Sequence, residues 1–125
     1  MKFYHVSPRR LTIGTVLNGQ REVYYKPHTG LSLFMWNKPR PHPTMEGEIA
    51  RSNHTWYLYR VVPNVKVTYC RMEDEYVCAS ATIVQVVKSI SPFQMNQIII
   101  KRKESKVVKN YNFRGQLVFT YKLDI

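Results

Sequence analysis

The chain has 125 residues, 44% of them hydrophobic, which is enough for one core and too little for a second domain. No stretch approaches the ~20 consecutive apolar residues that a membrane span needs, and no apolar leader precedes the first strand pattern. Nineteen Lys and Arg against eight Asp and Glu give a formal net charge of +11, so polyanions are the expected partner class: nucleic acid, or an acidic, nucleic-acid-associated protein.

Phe3 to Val6 reads as a short strand that Ser7-Pro8 ends, because proline offers no N–H to a ladder and restricts the residue before it. Arg9 to Leu17 has few apolar positions and reads as a turn or a one-to-two-turn helix closing at Asn18-Gly19. Glu22-Val23-Tyr24-Tyr25 is a second strand ended by Pro27, and Thr29-Gly30 is a turn. Leu31 to Asn37 fits either a helix or a strand. Residues 38–48 hold three prolines within five positions and read as an exposed loop in which Arg40 and His42 are available to a ligand.

Trp56 to Val62 is aromatic and β-branched and stops at Pro63, as a core strand would. Val65 to Cys70 alternates with the period of a half-exposed strand, and the charged run Arg71 to Glu75 separates it from Tyr76 to Val87, two strand-like runs joined across small residues. Asn96 to Lys101, Val107-Val108 and Gln116 to Tyr121 read as further strands, giving a basic β-hairpin tail from about residue 94 to residue 125. The chain is therefore expected to be a single strand-rich α+β domain over 1–125.

Few residues are placed to carry chemistry. His5, His28, His42 and His54 lack metal-ligand spacing, and Cys70 and Cys78 have no partners for a zinc set, so they read as buried thiols of a cytoplasmic protein. A Gly-rich phosphate loop, a Gly-x-Ser-x-Gly elbow and a Cys–His pair are all missing. Three of the eight acidic residues fall in Glu73-Asp74-Glu75, either a solvated turn or a carboxylate delivered to a cleft by the strand that follows. His5 is equally two-sided: a core or edge residue, or a group at a site.

The order of these segments resembles the ADP-ribosyltransferases. Tyr4-His5-Val6-Ser7, followed by Leu11-x-Ile13-Gly14 and Leu17-Asn18-Gly19, is similar to the family's opening Tyr-His-Gly-Thr/Ser strand and short helix, with the rifampin-modifying branch particularly similar. Val23-Tyr24-Tyr25 resembles the second strand, whose aromatic residue stacks on nicotinamide, and Trp56 to Pro63 the apolar strand after the family's central helix. Asp74-Glu75-Tyr76-Val77 resembles the Asn-Glu-Tyr-Ile/Val stretch of poly(ADP-ribose) polymerases that contains the catalytic glutamate.

The resemblance spans residues 3–87 and implies a split β-sheet core with few short helices, NAD as substrate, and a macromolecular acceptor. It implies a triad of His5, Tyr24 and Glu75, with Tyr25 as the alternative aromatic because a one-residue slip reverses the face of a strand. His5, Val6 and Ser7 would orient NAD, Val6 standing where the family usually has glycine. Glu75 would bond the ribose 2'-hydroxyl and stabilise the oxocarbenium-like centre left by departing nicotinamide. Tyr24 would stack on the cationic ring. A reading from a different class is a non-catalytic basic domain that grips nucleic acid or a partner protein, stacking bases on Tyr24, Tyr25, Trp56 and Tyr111.

Overall fold

The computed structural model describes residues 1–22, 31–105, 107–111 and 117–121, the side chains of 21, 22 and those beyond 104 excepted. The chain forms β1 (Phe3–Ser7), β2 (Val16–Asn18), β3 (Arg21–Glu22), β4 (Leu31–Met35), α1 (Pro43–Arg51), β5 (Trp56–Pro63), β6 (Thr68–Cys70), β7 (Glu75–Cys78), β8 (Ser80–Ile90), α2 (Pro92–Ser105), β9 (Val107–Tyr111) and β10 (Leu117–Tyr121). It is a strand-rich α+β fold. One sheet has the order β1-β5-β8-β2, a second β3-β4-β7-β6, and β9 pairs antiparallel with β10.

β5 is the centre because its sequence is apolar on both faces. Tyr59 and Val61 point into a core shared with Leu33 and Met35 of β4 and Cys78 of β7, which glues the first sheet to the second. Trp56 and Leu58 point the other way, against Ile49 of α1 and Met95 of α2. The period-2 alternation of a strand thus assigns alternate residues to the sheet–sheet and the sheet–helix core. Cys70 and Cys78 are both buried and are not joined in a disulfide.

Two expectations fail, both for the same reason. Residues 43–51 are helix α1 and not loop, and residues 92–105 are helix α2 where a strand over Asn96–Lys101 and a hairpin tail starting near residue 94 were expected. Both helices open on a proline. At the first helical position the missing N–H has no intrahelical partner to lose and φ is already suitable, so proline starts a helix there. His42 caps α1 by accepting the Thr44 N–H. Ser91 and Gln94 form a reciprocal capping box on α2, the Gln94 N–H donating to Ser91 Oγ at 3.1 Å and the Ser91 N–H to Gln94 Oε1 at 2.9 Å. Met95 and Ile99 then face the core, and Arg102, one turn on, meets Glu46 of α1 at 2.7 Å. Arg9 to Leu17 holds a turn, one of its two expected forms, followed by a strand over Val16–Asn18 that was not expected. Leu31–Asn37 resolves to strand β4, and Val65–Cys70 is strand only over Thr68–Cys70.

Two contacts fix how the first loop and β2 lie against the rest. The Tyr59 hydroxyl donates to Arg9 O and accepts the Leu11 N–H, both at 2.7 Å, so a fully buried core phenol pins the loop after β1. Gly19, where the chain leaves β2 for the second sheet, lies so close to β4 that a Cβ there would sit 2.5 Å from Ser32 Cα and 2.6 Å from Leu31 O. Gly19→Ala must therefore push backbone apart and should lower stability by about 1–3 kcal/mol. Tyr59→Phe, which strips a partner from one N–H and one carbonyl, should lose about 1–3 kcal/mol. Urea melts check both through their midpoints, with the slope unchanged.

Candidate functional site

The two sheets, which already share a core, are also hydrogen-bonded to each other. The Tyr4 N–H donates to Trp36 O at 2.7 Å and the Trp36 N–H returns to Tyr4 O at 2.9 Å, an isolated antiparallel bridge between β1 and the end of β4. Farther along, β4 takes β3 as its partner, with Arg21 opposite Ser32. Between the bridge and that second pairing, β1 and β4 part. The wedge between them is a cavity of about 400 Å³, lined by β1, β4, the segment before α1, and Glu75 at the start of β7.

His5 spans the wedge just past the bridge. Its Nδ1 lies 2.9 Å from Phe34 O, and a carbonyl only accepts, so Nδ1 carries a proton. In the neutral ring Nε2 is then an acceptor. Ser7 is buried and its Oγ accepts the Arg9 N–H at 3.1 Å, while Val6 packs toward the helix-side core. Val6 and Ser7 both line the cavity.

Glu75 is buried, unlike Glu73 and Asp74 beside it, so the acidic run is a solvated turn for two residues and a cavity carboxylate for the third. Its Oε1 accepts the Thr44 hydroxyl at 3.2 Å and lies 3.4 Å from His42 Nδ1. The turn that delivers it is itself held. Asp74 adopts φ 51°, its carbonyl accepts His42 Nε2–H at 3.0 Å, and its carboxylate accepts the Tyr69 hydroxyl at 2.7 Å. A left-handed aspartate costs on the order of 1–2 kcal/mol, and these two contacts offset it.

Arg9 and Arg40 also line the cavity, and both are exposed. The Arg40 guanidinium and the Lys38 ammonium lie over the Trp36 ring, 5.3 and 5.1 Å from its centroid. Two exposed arginines and a buried carboxylate thus line one cavity. Among the described residues no group of three His, Cys, Asp or Glu side chains is placed to hold a metal ion.

Of the expected triad, His5 and Glu75 line the same cavity. Tyr24 and Tyr25 lie outside the described residues. Arg40 and His42, read from sequence as exposed loop residues, belong to the cavity wall, and the His42 side chain is only 10% exposed. Trp56 is buried, with Nε1–H donating to Ser52 Oγ at 2.9 Å, so it is no open platform for stacking bases; the side chain of Tyr111 lies outside the described set. Thr44, Arg9 and Trp36 carried no signal of their own. The dipeptide His42-Pro43 followed by Thr44-Met45-Glu46 would have located Thr44, as a helix start. No protein-family model matches this chain, and no curated protein matches it.

The Asp74 contact has a titration signature. Hydrogen bonding and charge repulsion from the Asp74 carboxylate push the Tyr69 phenol above its ordinary value of 10.0. The neutral phenol is the bonded form, so the contact persists below that pH and is lost as pH rises through the higher folded value. Asp74→Asn should bring the Tyr69 transition back toward 10.0, followed by absorbance of the phenolate.

Proposed function

We propose that this chain is an NAD-dependent ADP-ribosyltransferase, His5 and Glu75 acting on opposite parts of one bound NAD. The observation that carries the reading is that these two residues, 70 positions apart by their numbers, line one cavity between diverging strands. The residue chemistry supports it. A buried carboxylate close to an anomeric carbon stabilises positive charge developing there as nicotinamide leaves, more strongly than it could in water. His5, held by its Nδ1–H bond to Phe34 O, lies in the wall of the same cavity, where the resemblance would have it orient NAD. Arg9 and Arg40 line the same cavity and are fork-shaped donors of the kind that suits a diphosphate. Helix α1 adds support, since the resemblance requires a helix between Tyr25 and Trp56 and α1 occupies Pro43–Arg51.

The aromatic wall of the nicotinamide site would be Tyr24 or Tyr25. With a formal charge of +11, the acceptor best matched to the surface is nucleic acid or a nucleic-acid-associated protein. The reaction breaks the bond from ribose C1' to the nicotinamide nitrogen and makes one from C1' to an acceptor nucleophile. Nicotinamide departs neutral and the acceptor loses a proton to solvent.

Incubation with NAD labelled in its adenylate part, in the presence of DNA, RNA or protein, should yield labelled acceptor or, without one, ADP-ribose and nicotinamide. Folded protein that releases no nicotinamide under any of these conditions refutes the proposal. Glu75→Gln should cut the rate by roughly 10²–10³-fold while leaving NAD binding nearly intact.

A further inference from the structure

We infer that His42 and Thr44 are positioning residues that set the direction of the Glu75 carboxylate, an inference that rests on reading Glu75 as the catalytic group. Proton bookkeeping at three atoms leads to it. His42 Nε2 faces the Asp74 carbonyl at 3.0 Å and must donate, so in the neutral ring Nδ1 is an acceptor. That acceptor takes the Thr44 N–H at 3.2 Å, which is the N-cap of α1. The Thr44 hydroxyl has a single proton and two candidate acceptors, His42 Nδ1 at 2.8 Å and Glu75 Oε1 at 3.2 Å. Nδ1 already receives the amide proton and Oε1 carries charge, so the hydroxyl donates to the carboxylate.

One threonine therefore holds both groups, its amide on the imidazole and its hydroxyl on the glutamate. With the ring neutral, the 3.4 Å approach of Nδ1 to Oε1 sets two acceptors side by side, and Thr44 donates to each of them. The imidazole is fixed in turn by the Trp36 ring, whose edge-on contact has centroids 5.0 Å apart and planes at 65°. Trp36 is also the residue that bridges β1. The direction of the Glu75 carboxylate is thereby tied to the same point that closes the wedge beside His5.

The test compares NAD turnover by the wild type, Thr44→Val, Thr44→Ser and His42→Asn. Valine keeps the shape and removes the hydroxyl, serine restores it, and asparagine remains a good N-cap while losing the reach to Asp74. Thr44→Val should lower kcat roughly 10- to 100-fold, the worth of one hydrogen bond to a charged group, with KM for NAD changed by less than about twofold. Thr44→Ser should stay within about threefold of wild type. A purely structural role would not give this split with rescue by serine. Should Thr44→Val fail to fold, His42→Asn carries the same expected fall in kcat. An active wild type with valine and serine variants of equal, undiminished kcat overturns the positioning role and leaves the site reading standing. A wild type that consumes no NAD overturns the site reading, and the positioning role with it.

Discussion

The two backbone hydrogen bonds between Tyr4 and Trp36 hold this structure in its functional shape. Two sheets that share a core could close into one continuous surface, or slide apart along their common face. The bridge does neither: it ties β1 to β4 at a single residue pair and lets the strands part beyond it. A buried strand edge must find partners for its polar groups, and here His5 takes one of them, donating to Phe34 O across the gap. The histidine is part of how the wedge is built as well as part of its wall.

Burying Glu75 follows from the same geometry and carries its own cost. A carboxylate removed from water is unfavourable unless donors replace the lost hydration. Thr44 supplies a donor from the first turn of α1, where the unsatisfied N–H groups of a helix also favour negative charge. Helix α1 can serve this purpose because it is fastened on its far side, with Ile49 fully buried and Glu46 paired to Arg102 of α2. The helix layer does more than cover one face of β5. It fixes the point from which the carboxylate is held.

Strands were legible in the sequence wherever the apolar period was 2 and the ends were marked. Trp56–Pro63, Phe3–Ser7 and the small-residue break between Glu75–Cys78 and Ser80–Ile90 were all readable that way. Both helices were hidden at their starts. Pro43 was weighed as part of a loop and Pro92 was not weighed at all, whereas the residues that decide the matter are the caps before them, His42 and the Ser91/Gln94 pair. Ser-Pro-Phe-Gln states a capping box with proline at its first helical position; histidine as a cap has no comparable sequence signature. The candidate site was half legible for a related reason. His5 and Glu75 lie on strands whose order is visible, and Arg40 and His42 were read as open to a ligand, but Arg9 and Thr44 come from a loop and a helix start, whose side-chain directions are set only by tertiary contacts such as the Tyr59 hydroxyl on Arg9 O.

Charge gives the cavity a direction. The chain as a whole is strongly cationic, and the cavity wall contributes the exposed Arg9 and Arg40, the latter oriented over Trp36. Inside is a carboxylate. On the proposed reading, a dinucleotide with a negative diphosphate and a positive nicotinamide meets opposite signs at the two depths, so the field alone favours one orientation: ring inward, phosphates at the mouth. On that reading, breaking the bond from C1' to the ring nitrogen neutralises the ring and passes its positive charge to the anomeric carbon. The attraction that seated the ring is gone, while the arginines still hold the phosphates, so nicotinamide is the part free to depart. A polyanionic acceptor drawn to the same arginines would arrive on the side from which the anomeric carbon has just been exposed.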